Sequence, residues 1–150
     1  MKGFVWVDVY SELGTYRTPE QVEAFVAPFR GSFKEKAYEL VKGMFPPESD
    51  SVLVEHVATD LSSAPKAIAL SAMKSAITFE PTVTTSLLEI GLPGIAINPA
   101  SAISDTVSMR RYGFSVFSMP GVGHFPMMEK PEDFNVLLLK AIDRINQLTR

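Results

Sequence analysis

Residues 119–134 read MPGVGHFPMMEKPEDF and carry the most informative pattern in the chain. His124 stands between a Gly-Val-Gly turn and Phe125, shortly after residues 114–119 (FSVFSM), which predict a β-strand. In open α/β sheets, ligands and catalytic groups gather in the loops at the carboxyl ends of the strands. The pattern therefore predicts that His124 lies on such a loop, where an imidazole is well suited to moving a proton near neutral pH.

The residues on both sides of this loop alternate between strand and helix patterns. Residues 3–7 are continuously apolar and β-favouring, which is typical of a strand that is covered on both faces of a parallel sheet, and residues 94–98 (GIAIN) also predict a strand. A last helix is predicted from Pro131, because proline is favoured at the first helical position and two acids follow it. The spacing of strands and helices predicts an α/β fold with right-handed crossovers and a thin parallel sheet of about three strands.

The segment between the first and second strands carries helical patterns. Capping boxes at 18–21 and 32–35, and a capping residue at Asp50, predict the starts of three of these helices. The helical insert is about 75 residues long, which is more than a single crossover helix between parallel strands needs.

The length of the chain is that of one domain. We expect a single domain of 150 residues, in which residues 1–10 hold the first strand, 11–90 form the helical insert and 91–150 form the C-terminal αβ portion with the histidine loop. Apolar residues at 46% and charged residues at 21% are ordinary for a globular protein, and they exclude a disordered tail or a fibre.

Charge and composition argue against several kinds of partner. The net charge of −3, with scattered Lys and Arg, argues against nucleic acid. The absence of cysteine excludes disulfides and cysteine-ligated zinc, and two histidines argue against a histidine-rich metal site, so we expect no metal and no cofactor. No apolar run reaches the roughly 18 residues of a membrane span, and the N-terminal run is too short for a signal-peptide core. We therefore expect a cytoplasmic protein.

The histidine loop resembles a motif of the α/β-hydrolase family, G-x-G-H-F-x-x-x-E-x-P-x-x-F. The matching residues are Gly121, Gly123, His124, Phe125, Glu129, Pro131 and Phe134. The lead at 90–93 resembles the approach to the family's penultimate strand, the opening GFVWVD resembles the strand before its lid, and the helical insert resembles that lid. The resemblance spans essentially the whole chain but only about the C-terminal half of the usual fold. It implies a partial α/β-hydrolase-like sheet with a helical lid insert.

For His124 the resemblance implies the role of general base and then general acid in acyl transfer. The alternative is a structural loop histidine that hydrogen-bonds to nearby backbone, and we favour the catalytic role because of the motif. His56 lies in the middle of a predicted helix without a glycine turn, so we expect it to be a surface or packing histidine.

The acid that would orient His124 has two candidates. In the resembling family an Asp or Glu follows the penultimate strand, and Asp105 is the first acid available there, although Asp also commonly caps a helix. Asp8 is the second candidate, because some members draw the acid from the strand before the lid; for it we favour a structural role at the strand end. Asp60 is expected to be a surface charge on a helix.

The nucleophile is the gap in this pattern. The family's nucleophile lies in G-x-S-x-G on a strand-to-helix turn, and neither that motif nor a Gly-rich oxyanion stretch occurs in the chain. Ser32 precedes a capping box, and Ser101, Ser104 and Ser118 lack the elbow context. In the family's usual order the nucleophile comes before the segment that matches Gly3 onward.

Three functional hypotheses follow. The first is carboxylic-ester hydrolysis of a small apolar ester-like substrate, with His124 as general base and a nucleophile supplied in cis or by a partner chain. The alternative is a non-catalytic, truncated hydrolase-like module that acts through self-association or partner binding. A third, weaker hypothesis recruits Ser101 or Ser104 to His124. Because the first strand would have an unpaired apolar edge, we expect a homo-oligomer or pairing with a chain that carries the missing half.

Overall fold

The computed structural model describes residues 1–150, except for the side chain of Glu80. The chain divides into two compact units, one formed by Met1–Gly14 with Val83–Arg150 and one formed by Thr15–Thr82. The described part of the chain has the following elements in order: β1 Phe4–Val7, α1 Pro19–Gly31, α2 Phe33–Lys42, α3 Ser51–Ser62, α4 Lys66–Thr78, α5 Glu80–Ile90, β2 Gly94–Pro99, α6 Thr106–Arg111, β3 Phe114–Met119, α7 Pro126–Glu129 and α8 Pro131–Leu148.

The first unit is built on a parallel sheet of three strands in the order β1-β2-β3. In the register, Ile95 of β2 lies between Val5 of β1 and Ser115 of β3. Every residue of β2 is buried, as expected for the central strand of a parallel sheet that is covered on both faces. The predicted α/β fold with three parallel strands is confirmed, and β1 and β3 are the two edges of the sheet.

Both faces of the sheet carry an apolar core. Ile95 and Ile97 point to one face, where they pack with residues of the histidine loop and α8; that cluster is completed by Met119, Val122, Phe134, Ala141 and Ile145. Ala96 points to the other face, where the cluster includes Leu13, Leu87, Met109 and Phe114. Because successive side chains of a strand alternate between faces, β2 contributes to both cores. Full burial of each isoleucine contributes about 1.5–3 kcal/mol to the free energy of unfolding.

The second unit is helical. The predicted capping box of α1 is confirmed, with Gln21 N donating to Thr18 Oγ1 and Thr18 N donating to Gln21 Oε1. Asp50 caps α3, as predicted, by accepting from two backbone amides. The core of the unit contains Phe29, Phe33 and Ala37, packed against Leu40, Ala69, Leu70 and Met73.

The second predicted capping box does not form. Ser32 precedes α2, but its side chain makes no capping hydrogen bond. The reason lies in its position, since Ser32 also follows the last residue of α1 and has φ −93° and ψ 69°, outside the extended conformation that a capping serine usually adopts.

Candidate active site

The histidine loop leaves the carboxyl end of β3 through a tight turn. Gly121 has φ +65°, a conformation that L side chains rarely adopt. A Cβ at this position would lie 2.7 Å from Lys130 Nζ, which donates to Pro120 O at 3.2 Å. Val122 is buried in the core below the loop. The turn is therefore anchored from both sides before the chain reaches His124.

Glu129 holds the backbone on either side of the histidine. Its Oε1 accepts a hydrogen bond from Gly123 N at 2.8 Å and from Phe125 N at 3.3 Å. These two amides flank His124, so one carboxylate oxygen fixes the segment that carries the imidazole. Sequence reasoning matched Glu129 to a motif without assigning it a role; its place five residues after the histidine was the available signal.

Asp8 lies at the carboxyl end of β1, next to the central strand. Its backbone N donates to Ile97 O at 2.9 Å, which continues the pairing of β1 with β2 by one residue. The φ of Asp8 is +47°, an uncommon conformation for a residue other than glycine. Its Oδ2 lies 2.7 Å from Nδ1 of His124.

This contact spans the width of the sheet. Asp8 follows β1 and His124 follows β3, and β2 lies between these two strands. Neighbouring strands are about 4.8 Å apart, so side chains from strands roughly 10 Å apart meet over the end of β2. The carboxylate and the imidazole therefore lie at the carboxyl ends of the strands, where catalytic groups of open α/β folds are found.

Asp8 favours the protonated form of His124. The hydrogen bond to Asp8 raises the pKa of His124 above its ordinary value of 6.5, while partial burial opposes the shift. The His124 side chain is 44% exposed and that of Asp8 is 19% exposed. In the neutral imidazole, Nδ1–H donates to the Asp8 carboxylate and Nε2 presents its lone pair. Nε2 has no hydrogen-bond partner among the described residues, which leaves it able to accept a proton.

Asp105 has a different role. Its Oδ1 accepts from Val107 N at 3.0 Å and Ser108 N at 3.1 Å, so the carboxylate caps α6. These backbone donors hold the pKa of Asp105 below its ordinary value. The structure thus brings Asp8, not Asp105, to the imidazole. The physical reason is local, because the unpaired amides at the start of α6 compete for the nearest carboxylate.

The other candidates lie away from this pair. Ser104 Oγ accepts from Asn98 Nδ2 at 2.9 Å, and none of the serine hydroxyls described in the structure hydrogen-bonds to His124. His56 and Asp60 are both exposed on α3.

Within the described side chains, no group of three or more His, Cys, Asp or Glu is placed to hold a metal ion. Over the same part of the chain, every helix is too short or too polar to cross a bilayer.

Solved structures with a similar chain fold include esterases and a bromoperoxidase. A thermophilic esterase from Thermogutta terrifontis superposes with a TM-score of 0.71 at 18% identity, over 96% of this chain and 56% of that chain. A bromoperoxidase from Bacillus anthracis gives 0.69 at 16% identity, over 94% and 58%. An enzyme that degrades N-acyl homoserine lactones gives 0.60 at 19% identity, over 83% and 51%.

The coverage of these structures is unequal. Between 83% and 96% of this chain matches these three structures, but it spans only about half the length of the proteins that it matches. Searches with protein-family models and against curated protein sequences find no match. At identities below 20% the likeness establishes the fold, and it agrees with the resemblance of the histidine loop. The chain therefore has part of the α/β-hydrolase fold.

Proposed function

We propose that this chain supplies the base and the acid of a serine-type α/β-hydrolase site that cleaves carboxylic esters. Asp8 orients His124, and His124 is the general base. The nucleophile comes from sequence outside residues 1–150 or from a partner chain. The observation that carries the proposal is the hydrogen bond of 2.7 Å between Asp8 Oδ2 and His124 Nδ1, made at the carboxyl end of the sheet.

The pair has the chemistry that ester cleavage needs. Nε2 takes the proton of a nucleophilic hydroxyl as its oxygen attacks the ester carbonyl, and the imidazolium that forms is stabilised by the Asp8 carboxylate. Nε2 then returns the proton to the leaving alkoxide. In the second half of the reaction the same nitrogen takes a proton from water, whose oxygen attacks the acyl carbon. Nε2 returns that proton to the oxygen of the nucleophile as its bond to the acyl group breaks and the carboxylic acid leaves. The hydrogen bond to Asp8 keeps the proton of the resting ring on Nδ1.

The nucleophile must meet a geometric condition. A hydroxyl has to approach to about 2.6–3.2 Å from Nε2 of His124. In the described residues no serine does so, and this chain spans only 56% of the matched esterase from Thermogutta terrifontis. The outer edge of β1 is a place for another strand to pair, because backbone groups on the outer side of an edge strand are unpaired. We propose that the nucleophile-bearing part, or a second copy of the chain, adds there.

The proposed substrate is a small ester with an apolar group, and the helical unit is proposed as a lid. Two of the matched structures are named as esterases, which supports the ester class. The aromatic side chains of the helical unit give little information about the acyl group, because Phe29 and Phe33 are buried in that unit's own core.

Hydrolysis of p-nitrophenyl butyrate tests the proposal. The wild type, His124→Ala and Asp8→Asn are compared in the longest form in which the protein is expressed, and a fluorophosphonate probe labels any activated serine. We expect His124→Ala to abolish labelling and Asp8→Asn to lower kcat by about 10⁴-fold, as loss of the orienting acid does in serine hydrolases. Equal rates for the wild type and His124→Ala would contradict the proposal.

The second candidate is a non-catalytic module. It is favoured by one observation, that none of the described serines contacts His124. If no ester is cleaved and no serine is labelled, the result supports the non-catalytic module. Its own test is sedimentation velocity of residues 1–150 at micromolar concentration, for which we expect dimers or larger assemblies. A monodisperse monomer would contradict the module reading, since that reading works through self-association.

A further inference from the structure

We propose that Asn98 is a positioning residue of the same site, which braces the segment after β1 so that Asp8 stays in contact with His124. This inference rests on the proposed function and adds a residue that touches neither the imidazole nor the substrate. It concerns the segment that follows Asp8, residues 9–13, in which the chain has no helix or strand.

Asn98 links the ends of two neighbouring strands. It is the fifth residue of β2, and its side chain is on the same face of the sheet as that of Ala96 because strand residues alternate. Its Nδ2 donates to Tyr10 O at 3.0 Å and to Ser104 Oγ at 2.9 Å. One buried amide therefore ties the segment after β1 to the segment after β2.

Two further hydrogen bonds run beside this link. Asp105 N donates to Ser11 O at 2.8 Å, and Leu13 N donates to Ser108 Oγ at 3.1 Å. The side chain of Leu13 is buried in the core of the same unit. The segment that follows Asp8 is thus held at three points, all of them by residues between the end of β2 and the middle of α6.

The backbone of Asp8 explains why a brace is needed. A φ of +47° is unfavourable for aspartate, and such a residue keeps this conformation only where the surrounding structure holds it. On its N-terminal side Asp8 is held by the sheet, through the hydrogen bond from its N to Ile97 O. On its C-terminal side, two residues after Asp8, the backbone is held by the hydrogen bond that Asn98 Nδ2 donates to Tyr10 O.

The buried amide also carries a stability cost. Asn98 is 1% exposed, and its Oδ1 has no hydrogen-bond partner among the described residues. An unpaired buried oxygen destabilises a fold, and an apolar residue of similar size avoids that penalty. An amide at this position therefore contributes something other than packing, and its two donated bonds show what that is. Natural sites commonly keep such unfavourable groups where they position a functional residue.

The test follows the ring protons of His124 by NMR titration. The variants are Asn98→Leu, Asn98→Ala, Asp8→Asn and the control Thr84→Val, which alters a side chain in the same unit that is 3% exposed. We expect the pKa of His124 to lie above 6.5 in the wild type and in Thr84→Val, and to fall in Asp8→Asn. Asn98→Leu should move the pKa at least halfway from the wild type toward Asp8→Asn.

Each outcome decides a different claim. A wild-type pKa in Asn98→Leu overturns the positioning role and leaves the proposed function standing. Equal pKa values in the wild type and Asp8→Asn show that the pair does not form, which removes the basis of the proposed function. If Asn98→Leu does not fold, Asn98→Ala decides by the same measure, because it removes the same two hydrogen bonds without placing a larger apolar side chain there: a pKa shifted toward Asp8→Asn supports the brace, and an unshifted pKa overturns it.

Discussion

Asp8 and His124 are separated by 116 positions in the chain, yet the carboxylate of one lies 2.7 Å from the imidazole of the other. The sheet produces this contact, because in a parallel sheet the carboxyl ends of β1 and β3 lie on the same side of the sheet, at the end of β2. The loop after β3 is then long enough to reach across the end of β2. The contact depends on both the strand order and the internal bracing of the loop.

The first prediction concerns how stability depends on pH. Asp8 raises the pKa of His124 in the folded protein. The contribution of the Asp8–His124 pair to stability is therefore fully present below the pKa of an unfolded histidine, about 6.5. That contribution is lost as the pH rises through the folded pKa. We therefore expect the difference in unfolding free energy between the wild type and Asp8→Asn to be larger at pH 6 than at pH 9. Urea titrations across this range measure it, and a difference that grows toward pH 9 would refute the pairing.

The second prediction separates the two aspartates. Asp105→Ala removes the cap of α6, so we expect the melting temperature to fall by about 2–4 °C while the pKa of His124 is unchanged. Asp60→Ala is the control, as an exposed aspartate on α3, and should change neither quantity. If Asp105→Ala lowers the pKa of His124 as far as Asp8→Asn does, the assignment of the orienting acid is wrong.

The third prediction concerns the clamp on the histidine loop, which is the Glu129 carboxylate that accepts hydrogen bonds from Gly123 N and Phe125 N. Glu129→Ala leaves the amides of Gly123 and Phe125 without their shared acceptor, which should cost about 1–3 kcal/mol of unfolding free energy. Hydrogen exchange at Gly123 should accelerate in the same variant. Glu129→Gln keeps an oxygen acceptor and should recover part of the loss, whereas Glu132→Ala, on the exposed side of α8, should stay within about 0.5 kcal/mol of the wild type. Unchanged exchange at Gly123 would show that the clamp is not formed.

The fourth prediction compares two glycines. Gly121→Ala forces alanine into φ +65° and brings its Cβ against Lys130 Nζ, so we expect a loss of about 1–2 kcal/mol. Gly31→Ala, at the end of α1, meets no atom within 4 Å and has an ordinary φ, so we expect a gain of about 0.5–1 kcal/mol. Chemical unfolding of both variants provides the comparison. Equal effects would mean that the turn before His124 is not strained in solution.

Much of the fold was predictable because the signals are local. Short apolar or β-favouring segments bounded by Gly, Pro and Asp mark the three strands, and the capping residues at Thr18 and Asp50 mark two helix starts. The prediction for Ser32 was wrong for a reason that no local pattern contains. That serine also follows the last residue of α1, and its backbone does not adopt the conformation that capping requires.

The sequence by itself determined the parallel sheet, the loop that carries His124 and the lack of a serine elbow. These depend on residue types and spacings within short windows. Only the tertiary structure decided which acid faces the imidazole. Asp105 was the nearer candidate along the chain, but the free amides of α6 bind its carboxylate, while strand pairing brings Asp8 across the sheet. Hydrogen-bond competition and strand order are properties of the assembled fold, and a linear pattern does not contain them.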